Sequence, residues 1–209
     1  MRKLFVVVCL FSALVVASTT ASADSVSLTS FGSTTWGGIP AGPYTGSLNG
    51  NPITMVCLSF DRHNSIGQTW TATVNGLTAG GVANSLYGSQ ANALVKYQQA
   101  AWLYDQMVAQ PNQAGDIHGA IWNIFNGVIT PDTTASNTWL MQARNQTFSG
   151  YDFSRFRIIT PDVRTYAGPQ EYLTSVPEPA TMLLLGTGLI GLASKARRRR
   201  RAGVDRASV

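Results

Sequence analysis

The chain has 209 residues, a formal net charge of +5 and only 12% charged residues. Nine of its fifteen basic residues lie near the two ends, and removing residues 1–23 and 177–209 leaves six basic and eight acidic residues. This slightly acidic body excludes nucleic acid as an expected partner. Its length of about 150 residues suits one domain with a core of ordinary size.

The N-terminal segment has the features of a secretory signal peptide. Two basic residues precede an apolar run, and Ala21 and Ala23 supply the small residues that signal peptidase requires. We predict residues 1–23 as the signal peptide, signal peptidase as a partner, and Asp24 as the first mature residue. Cys57 is then the single remaining cysteine, so the mature chain has no internal disulfide.

Strand patterns begin the body of the chain. Polar and apolar residues alternate over 26–30, and the Gly, Pro and Asn residues of 37–52 predict a loop. Residues 53–60 and 68–74 are predicted strands that can form an antiparallel pair. A turn signal, Asn75-Gly76, follows the second of them.

Helix patterns follow. Apolar residues recur at spacings of three and four over 92–110, and further helices are predicted at 116–125 and 135–145. Residues 155–160 and 171–174 are predicted closing strands. The expected fold of residues 24–175 is mainly β with a helical insertion (α+β): an antiparallel β-sandwich or barrel with two to three helices.

The C-terminal segment is a tripartite signal. It begins with an extended Pro-Glu-Pro motif, for which we predict a processing role at Val176, Pro177, Glu178 and Pro179. An uncharged run of fourteen residues follows at 180–193. A basic cluster then comes, formed by Lys195, Arg197, Arg198, Arg199, Arg200 and Arg201. As a helix, the run would span about 21 Å, short of the roughly 30 Å hydrocarbon core. Positive charge resists translocation, so we predict a single hydrophobic helix followed by a cytoplasmic tail at 202–209.

This order of features at 176–201 resembles the PEP-CTERM sorting tail, which exosortase enzymes process in Gram-negative bacteria that make exopolysaccharide. The resemblance implies exosortase as a partner and a transient stage in the inner membrane through the C-terminal helix. It also implies a final location at the cell surface or in the extracellular matrix. An ordinary membrane anchor or a buried core helix would leave Pro-Glu-Pro unexplained.

Three short motifs in the body resemble the thioester domains of Gram-positive surface adhesins. They are Val56-Cys57-Leu58, Tyr97-Gln98-Gln99-Ala100-Ala101-Trp102 and Ile117-His118-Gly119-Ala120-Ile121-Trp122. In that family the cysteine bonds to a glutamine at the position of His118. An imidazole has no amide carbonyl for a thiolate to attack, so we expect no thioester between Cys57 and His118.

If these two residues are neighbours, the imidazole can lower the pKa of the Cys57 thiol and make a nucleophile. Asp61 or Asn123 would then orient His118. The alternative is a buried thiol and a histidine bonded to backbone. No paired spacing typical of a metal site occurs, so we expect no metal and no cofactor.

Aromatic residues suggest sugar binding, and Trp36, in the predicted loop, is the candidate sugar platform. We therefore expect an exported, non-enzymatic protein that acts in adhesion or in exopolysaccharide and biofilm association. The alternatives are a secreted hydrolase or transferase using Cys57 and His118, and a carbohydrate-binding module of the matrix.

Overall fold

The computed structural model describes residues 23–129 and 133–176. The strands are β1 (Asp24–Ser30), β2 (Thr34–Trp36), β3 (Ile39–Ala41), β4 (Tyr44–Leu48), β5 (Asn51–Cys57), β6 (Thr69–Gly76), β7 (Phe156–Pro161) and β8 (Tyr172–Ser175). The helices are α1 (Ala79–Ala83), α2 (Ala93–Ala109), α3 (Ala114–Asn126) and α4 (Thr134–Arg144), with a 3-10 helix at Pro111–Gln113.

Six strands form a closed antiparallel barrel in the order β1-β4-β5-β8-β7-β6, and β6 returns to pair with β1. Strands β2 and β3 form a separate hairpin. The barrel and its helices confirm the predicted mainly β fold with a helical insertion. Closure pairs every barrel strand on both sides, so none is left as an exposed edge.

Side chains alternate between the inside of the barrel and the helices. Along β5, Met55 and Cys57 belong to the apolar cluster inside the barrel. Val56 and the following Leu58 belong to the cluster that includes residues of α2, α3 and α4. Alternation is the normal consequence of strand geometry, and it places the helices against one outer side of the barrel.

The helix predictions at 92–110, 116–125 and 135–145 are confirmed as α2, α3 and α4. Helix α4 begins with a capping box in which the Thr133 hydroxyl accepts from the Ser136 N–H. Helix α1 was not predicted, because only five residues form it and two of them are glycine.

The predicted strands at 53–60 and 68–74 are confirmed as β5 and β6, but the loop predicted before them and their predicted pairing were wrong. The predicted loop at 37–52 contains β3 and β4. Gly46 lies within β4, where a side chain would meet the Ser27 carbonyl oxygen and the Met55 methyl group. Glycine is therefore needed here for close packing and does not mark a turn. The predicted pair 53–60 with 68–74 does not form either, since β5 pairs with β4 and β8 and β6 pairs with β1 and β7.

The strand register gives the barrel two different ends. Asp24, the turn at Asn49 and Ser175 lie together at one end, which we call the terminal end. Tyr44 and Cys57 lie at the other, which we call the aromatic end. The chain therefore enters and leaves the barrel at the same end.

The predictions about the two ends of the chain concern residues that the structure does not describe. Residues 1–22 of the predicted signal peptide, the predicted helix at 180–193 and the predicted tail at 202–209 lie outside the described residues. Within 23–129 and 133–176, no helix has the length and apolar character needed to cross a membrane.

Candidate binding site at the aromatic end of the barrel

Cys57 and His118 lie next to each other, but the contact runs through the backbone. His118 is fully buried on α3, and its Nδ1 accepts a hydrogen bond of 2.8 Å from the Gly42 N–H. This bond places the ring proton on Nε2, which donates to the Cys57 carbonyl oxygen at 2.9 Å. The imidazole thus fastens α3 to β5 and to the segment after β3.

The Cys57 thiol has its own partner. It donates to the Ser59 carbonyl oxygen over 3.3 Å, within the fully buried interior of the barrel. Burial raises the pKa of the thiol to about 12, and burial lowers the pKa of His118 to about 3. Both side chains are therefore neutral at pH 7, and no ion pair activates the sulfur.

The two residues considered as partners of His118 make other contacts. The Asn123 side-chain oxygen accepts from the Ile129 N–H at 3.2 Å. Asp61 accepts from the Tyr87 hydroxyl at 3.4 Å. Both ring nitrogens of His118 already bond to backbone groups, so neither residue orients the imidazole.

Trp36 is not the exposed platform that its position in a Gly/Pro-rich stretch predicted. Its side chain is 2% exposed and lies at the end of β2. Gly119 on α3 makes room for the indole, since a Cβ there would lie 2.6 Å from Trp36 Nε1. The β2–β3 hairpin folds over α3, and this packing removes Trp36 from solvent.

Other aromatic rings surround the buried pair. The Trp122 ring lies 4.0 Å from the His118 ring, and it meets the Phe60 ring edge-on at 5.2 Å. Tyr44 contacts the rings of His118 and Phe31 at 5.4 and 5.3 Å. Such edge-on pairs fix the rings relative to one another.

A pocket of about 190 Å³ opens above this aromatic layer. Its walls are mostly apolar, with three polar side chains, and it is lined by Phe31, Ile39, Pro40, Tyr44, Phe60, His63, Asn64, Trp122 and Gln170. His63 is exposed, whereas Asn64 and Gln170 are buried and fixed. The Asn64 side-chain oxygen accepts from the Gln170 N–H at 2.7 Å, which ties the segment after β5 to the segment before β8.

Arg62 holds the loop that brings Gln170 to the pocket. Its guanidinium is buried and donates to the carbonyl oxygens of Arg164 and Thr165 at 2.7 and 2.8 Å. The Gln170 amide in turn donates to the Arg62 carbonyl oxygen at 2.6 Å. The loop between β7 and β8 is therefore anchored to the segment that carries His63 and Asn64.

Sequence reasoning missed most of this pocket. It singled out Cys57, His118 and Trp36, and all three lie beneath the lining, in the core. The polar cluster Arg62-His63-Asn64, in the loop that follows β5, was the available signal, because binding residues often lie on loops that a rigid scaffold positions. In the described part of the chain, no group of three His, Cys, Asp or Glu residues could hold a metal ion.

The C-terminal segment was compared with protein families. Residues 175–201 match the family model described as the PEP-CTERM protein-sorting motif. The chain carries a PEP-CTERM sorting signal. The match includes Pro177, Glu178 and Pro179 as well as the basic cluster, as the residue pattern predicted.

The PEP-CTERM signal indicates an exported protein that exosortase processes and that reaches the cell envelope or surface. Comparison with curated proteins and with solved structures gave no match. No comparison supports the resemblance of the body to thioester domains.

Proposed function

We propose that the mature barrel of this PEP-CTERM protein is a non-enzymatic module for adhesion or matrix association, and that it binds a sugar of the exopolysaccharide in the pocket at the aromatic end. The observation that carries the proposal is an open pocket with an aromatic wall and a polar rim. Ligand sites are typically concave and mostly apolar, with a few polar groups that fix orientation.

The size of the pocket limits the ligand. Pockets for drug-sized ligands have volumes of roughly 300–1,000 Å³, and this one has about 190 Å³. It therefore suits one sugar ring or a chain end. The apolar face of such a ring would lie on Phe31 and Phe60, and His63 and Asn64 would contact its hydroxyls.

The chemistry of Cys57 and His118 favours binding over catalysis. A protonated thiol with a pKa near 12 is a poor nucleophile, and His118 uses both nitrogens for backbone hydrogen bonds. Neither residue lines the pocket. We assign them the structural task of joining α3 to the barrel.

The sorting signal supports the place of action. We propose that the C-terminal helix holds the precursor in the inner membrane until exosortase acts, and that the barrel then joins the surface or the matrix. Binding to exopolysaccharide would keep it there.

Binding can be tested with the exopolysaccharide purified from the native host. We expect Phe31→Ala to raise the dissociation constant about tenfold, since about 1.4 kcal/mol is lost with a stacking ring. Tyr166→Ala is the matched control, because Tyr166 is 73% exposed and lies outside the pocket. Cys57→Ala should bind normally.

Equal binding by the Phe31 and Tyr166 variants would refute the assignment of the pocket. Turnover of a polysaccharide or ester that disappears in the Cys57 variant would refute the non-enzymatic assignment.

A further inference from the structure

The lining of the pocket at the aromatic end selects against charged ligands. None of the nine described residues that line it is Asp, Glu, Lys or Arg. Asp61 and Arg62 precede His63 in the chain, but neither lines the pocket, and each has its own partners in the fold. A charged group that left water here would have no carboxylate, ammonium or guanidinium beside it, and burial of an unpaired charge is costly. The lining therefore favours a neutral sugar over a uronic acid or a free amino sugar.

The polar edge of the pocket offers an acceptor. Both hydrogens of the Gln170 side-chain amide are used, since its nitrogen donates to the carbonyl oxygens of Arg62 at 2.6 Å and Ser59 at 3.1 Å. Its oxygen accepts from the Tyr172 hydroxyl at 2.9 Å. An amide oxygen has two lone pairs, so it can accept one bond more. A ligand group that meets the Gln170 amide must therefore be a donor.

Part of the apolar wall has no occupant in the proposed binding mode. The sugar ring there lies on Phe31 and Phe60, which leaves Ile39, Pro40 and the ring of Trp122 without a contact. A plain hexose carries hydroxyls around its rim, and hydroxyls buried against these side chains would lack partners. A methyl group on the ligand would fill the same space favourably.

The walls are held in place before a ligand binds. The Tyr44 hydroxyl donates to the Pro40 carbonyl oxygen at 2.8 Å, and the Tyr44 ring meets the Phe31 ring edge-on at 5.3 Å. The rings of Phe60 and Trp122 meet in the same way at 5.2 Å. A site that is already ordered loses little entropy on binding, so it discriminates between ligands by their shape and polarity.

We propose that the pocket binds the acetamido group of a neutral, N-acetylated amino sugar at a chain end. The amide N–H of the sugar donates to the Gln170 side-chain oxygen, its methyl group lies against Ile39 and Pro40, and its ring lies on Phe31 and Phe60. An ester-linked acetyl group has the methyl but no donor, and a plain hexose has donors but no methyl. The inference rests on the proposed function for the position of the ring, and it adds the chemical class of the sugar.

The class of sugar can be tested on the mature protein with N-acetylglucosamine, N-acetylgalactosamine, glucose, glucuronic acid and glucosamine as probes. We expect the two N-acetylated sugars to bind about tenfold more tightly than the other three in NMR titrations, because a buried methyl group and one added hydrogen bond act together. Saturation transfer from the protein should be strongest at the acetyl methyl protons. Affinities for glucose, glucuronic acid or glucosamine that equal or exceed that for N-acetylglucosamine would overturn the proposal, and so would no binding of either N-acetylated sugar.

A pair of matched variants tests the position of the acetyl group. Ile39→Ala should reduce the preference for N-acetylglucosamine over glucose about threefold, because part of the wall around the methyl group is removed. Ile66→Ala should leave the preference unchanged, since Ile66 is 60% exposed and does not line the pocket. An unchanged preference in a folded Ile39 variant would overturn the placement of the methyl group. The five probes on the parent protein decide the class of sugar even where this variant fails to fold.

The purified exopolysaccharide separates this inference from the proposed function. We expect binding to be lost when the N-acetyl groups of the polymer are removed and to persist when mild base removes ester-linked acetyl groups. Binding that Phe31→Ala weakens but N-deacetylation leaves unchanged would refute recognition of an acetamido group and keep the pocket as the binding site. Binding of N-acetylglucosamine without binding of the exopolysaccharide would support recognition of the acetamido group and refute matrix association.

Discussion

Gly119→Ala tests the packing of α3 beneath the pocket. A Cβ at position 119 would lie 2.6 Å from Nε1 and 2.9 Å from Cδ2 of Trp36, whose side chain is 2% exposed. A buried indole cannot move aside as the end of a flexible chain can. Overpacking of this kind costs about 1–3 kcal/mol, and the upper part of that range applies to a rigid ring.

Helix propensity opposes this cost. Replacing glycine by alanine in the middle of a helix stabilises it by about 1 kcal/mol. We therefore expect a net loss of about 2 kcal/mol for Gly119→Ala, which corresponds to a fall in Tm of about 4–8 °C for a domain of this length. Urea denaturation of the mature protein, followed by tryptophan fluorescence, measures the change.

Two further variants make the measurement decisive. Gly80→Ala in α1 is the control, because a Cβ there meets nothing within 4 Å and the variant should be at least as stable as the parent. Trp36→Phe removes part of the obstructing ring, so the double variant should show a coupling of about 1 kcal/mol in the direction of rescue. A Gly119 variant as stable as the parent would refute the packing argument.

Three other predictions concern the buried polar groups. Burial raises the pKa of Cys57 from 9.0 to about 12, which lowers its thiolate fraction about 1,000-fold. Iodoacetamide should therefore label the folded protein at least about 1,000-fold more slowly than free cysteine. Labelling at the rate of free cysteine would support the alternative of a Cys-His enzyme. Burial lowers the pKa of His118 from 6.5 to about 3, so at acidic pH the unfolded chain binds a proton that the native state does not, and stability is lost as pH falls. Between pH 7 and pH 5 this group should cost about 2 kcal/mol of stability. His118→Asn should remove that loss from the pH dependence of urea denaturation, and an unchanged pH dependence in the variant would contradict the prediction. Arg62→Met should release the loop after β7 and speed tryptic cleavage after Arg164 in the folded protein at least tenfold, whereas an unchanged rate would mean that Arg62 does not hold the loop.

The sequence was most informative where a single period extends over many residues. The apolar spacing of three and four in 92–110 and the isoleucines of 116–125 predicted α2 and α3 within a few residues. Helix α2 has one buried face, which is visible in the residue order, whereas nearly every residue of α3 is buried, so the isoleucine spacing located α3 without showing that it is covered on all sides. Alternation likewise located most of β1 and β6, because one side of each strand faces the inside of the barrel.

The sequence was least informative where glycine and proline lie within strands. Pro40 and Gly46 read as loop residues, yet they lie in β3 and β4. Strand pairing was also hidden, since β8 joins β5 across more than a hundred residues and no local pattern records that choice. For the same reason the pocket was missed, because its lining comes from five separate segments that only closure of the barrel brings together.

The sites of processing and of proposed ligand binding lie at opposite ends of the barrel. Asp24 and Ser175 lie at the terminal end, so the predicted signal peptide and the sorting signal can both be removed there without cutting a barrel strand. The proposed sugar pocket opens at the opposite end. A precursor fixed through its C-terminus would therefore present the pocket away from the point of attachment, and so would a mature protein joined to a carrier by its last residue. Processing and ligand binding then make no competing demands on the same surface, so binding to exopolysaccharide need not wait for the tail to be removed.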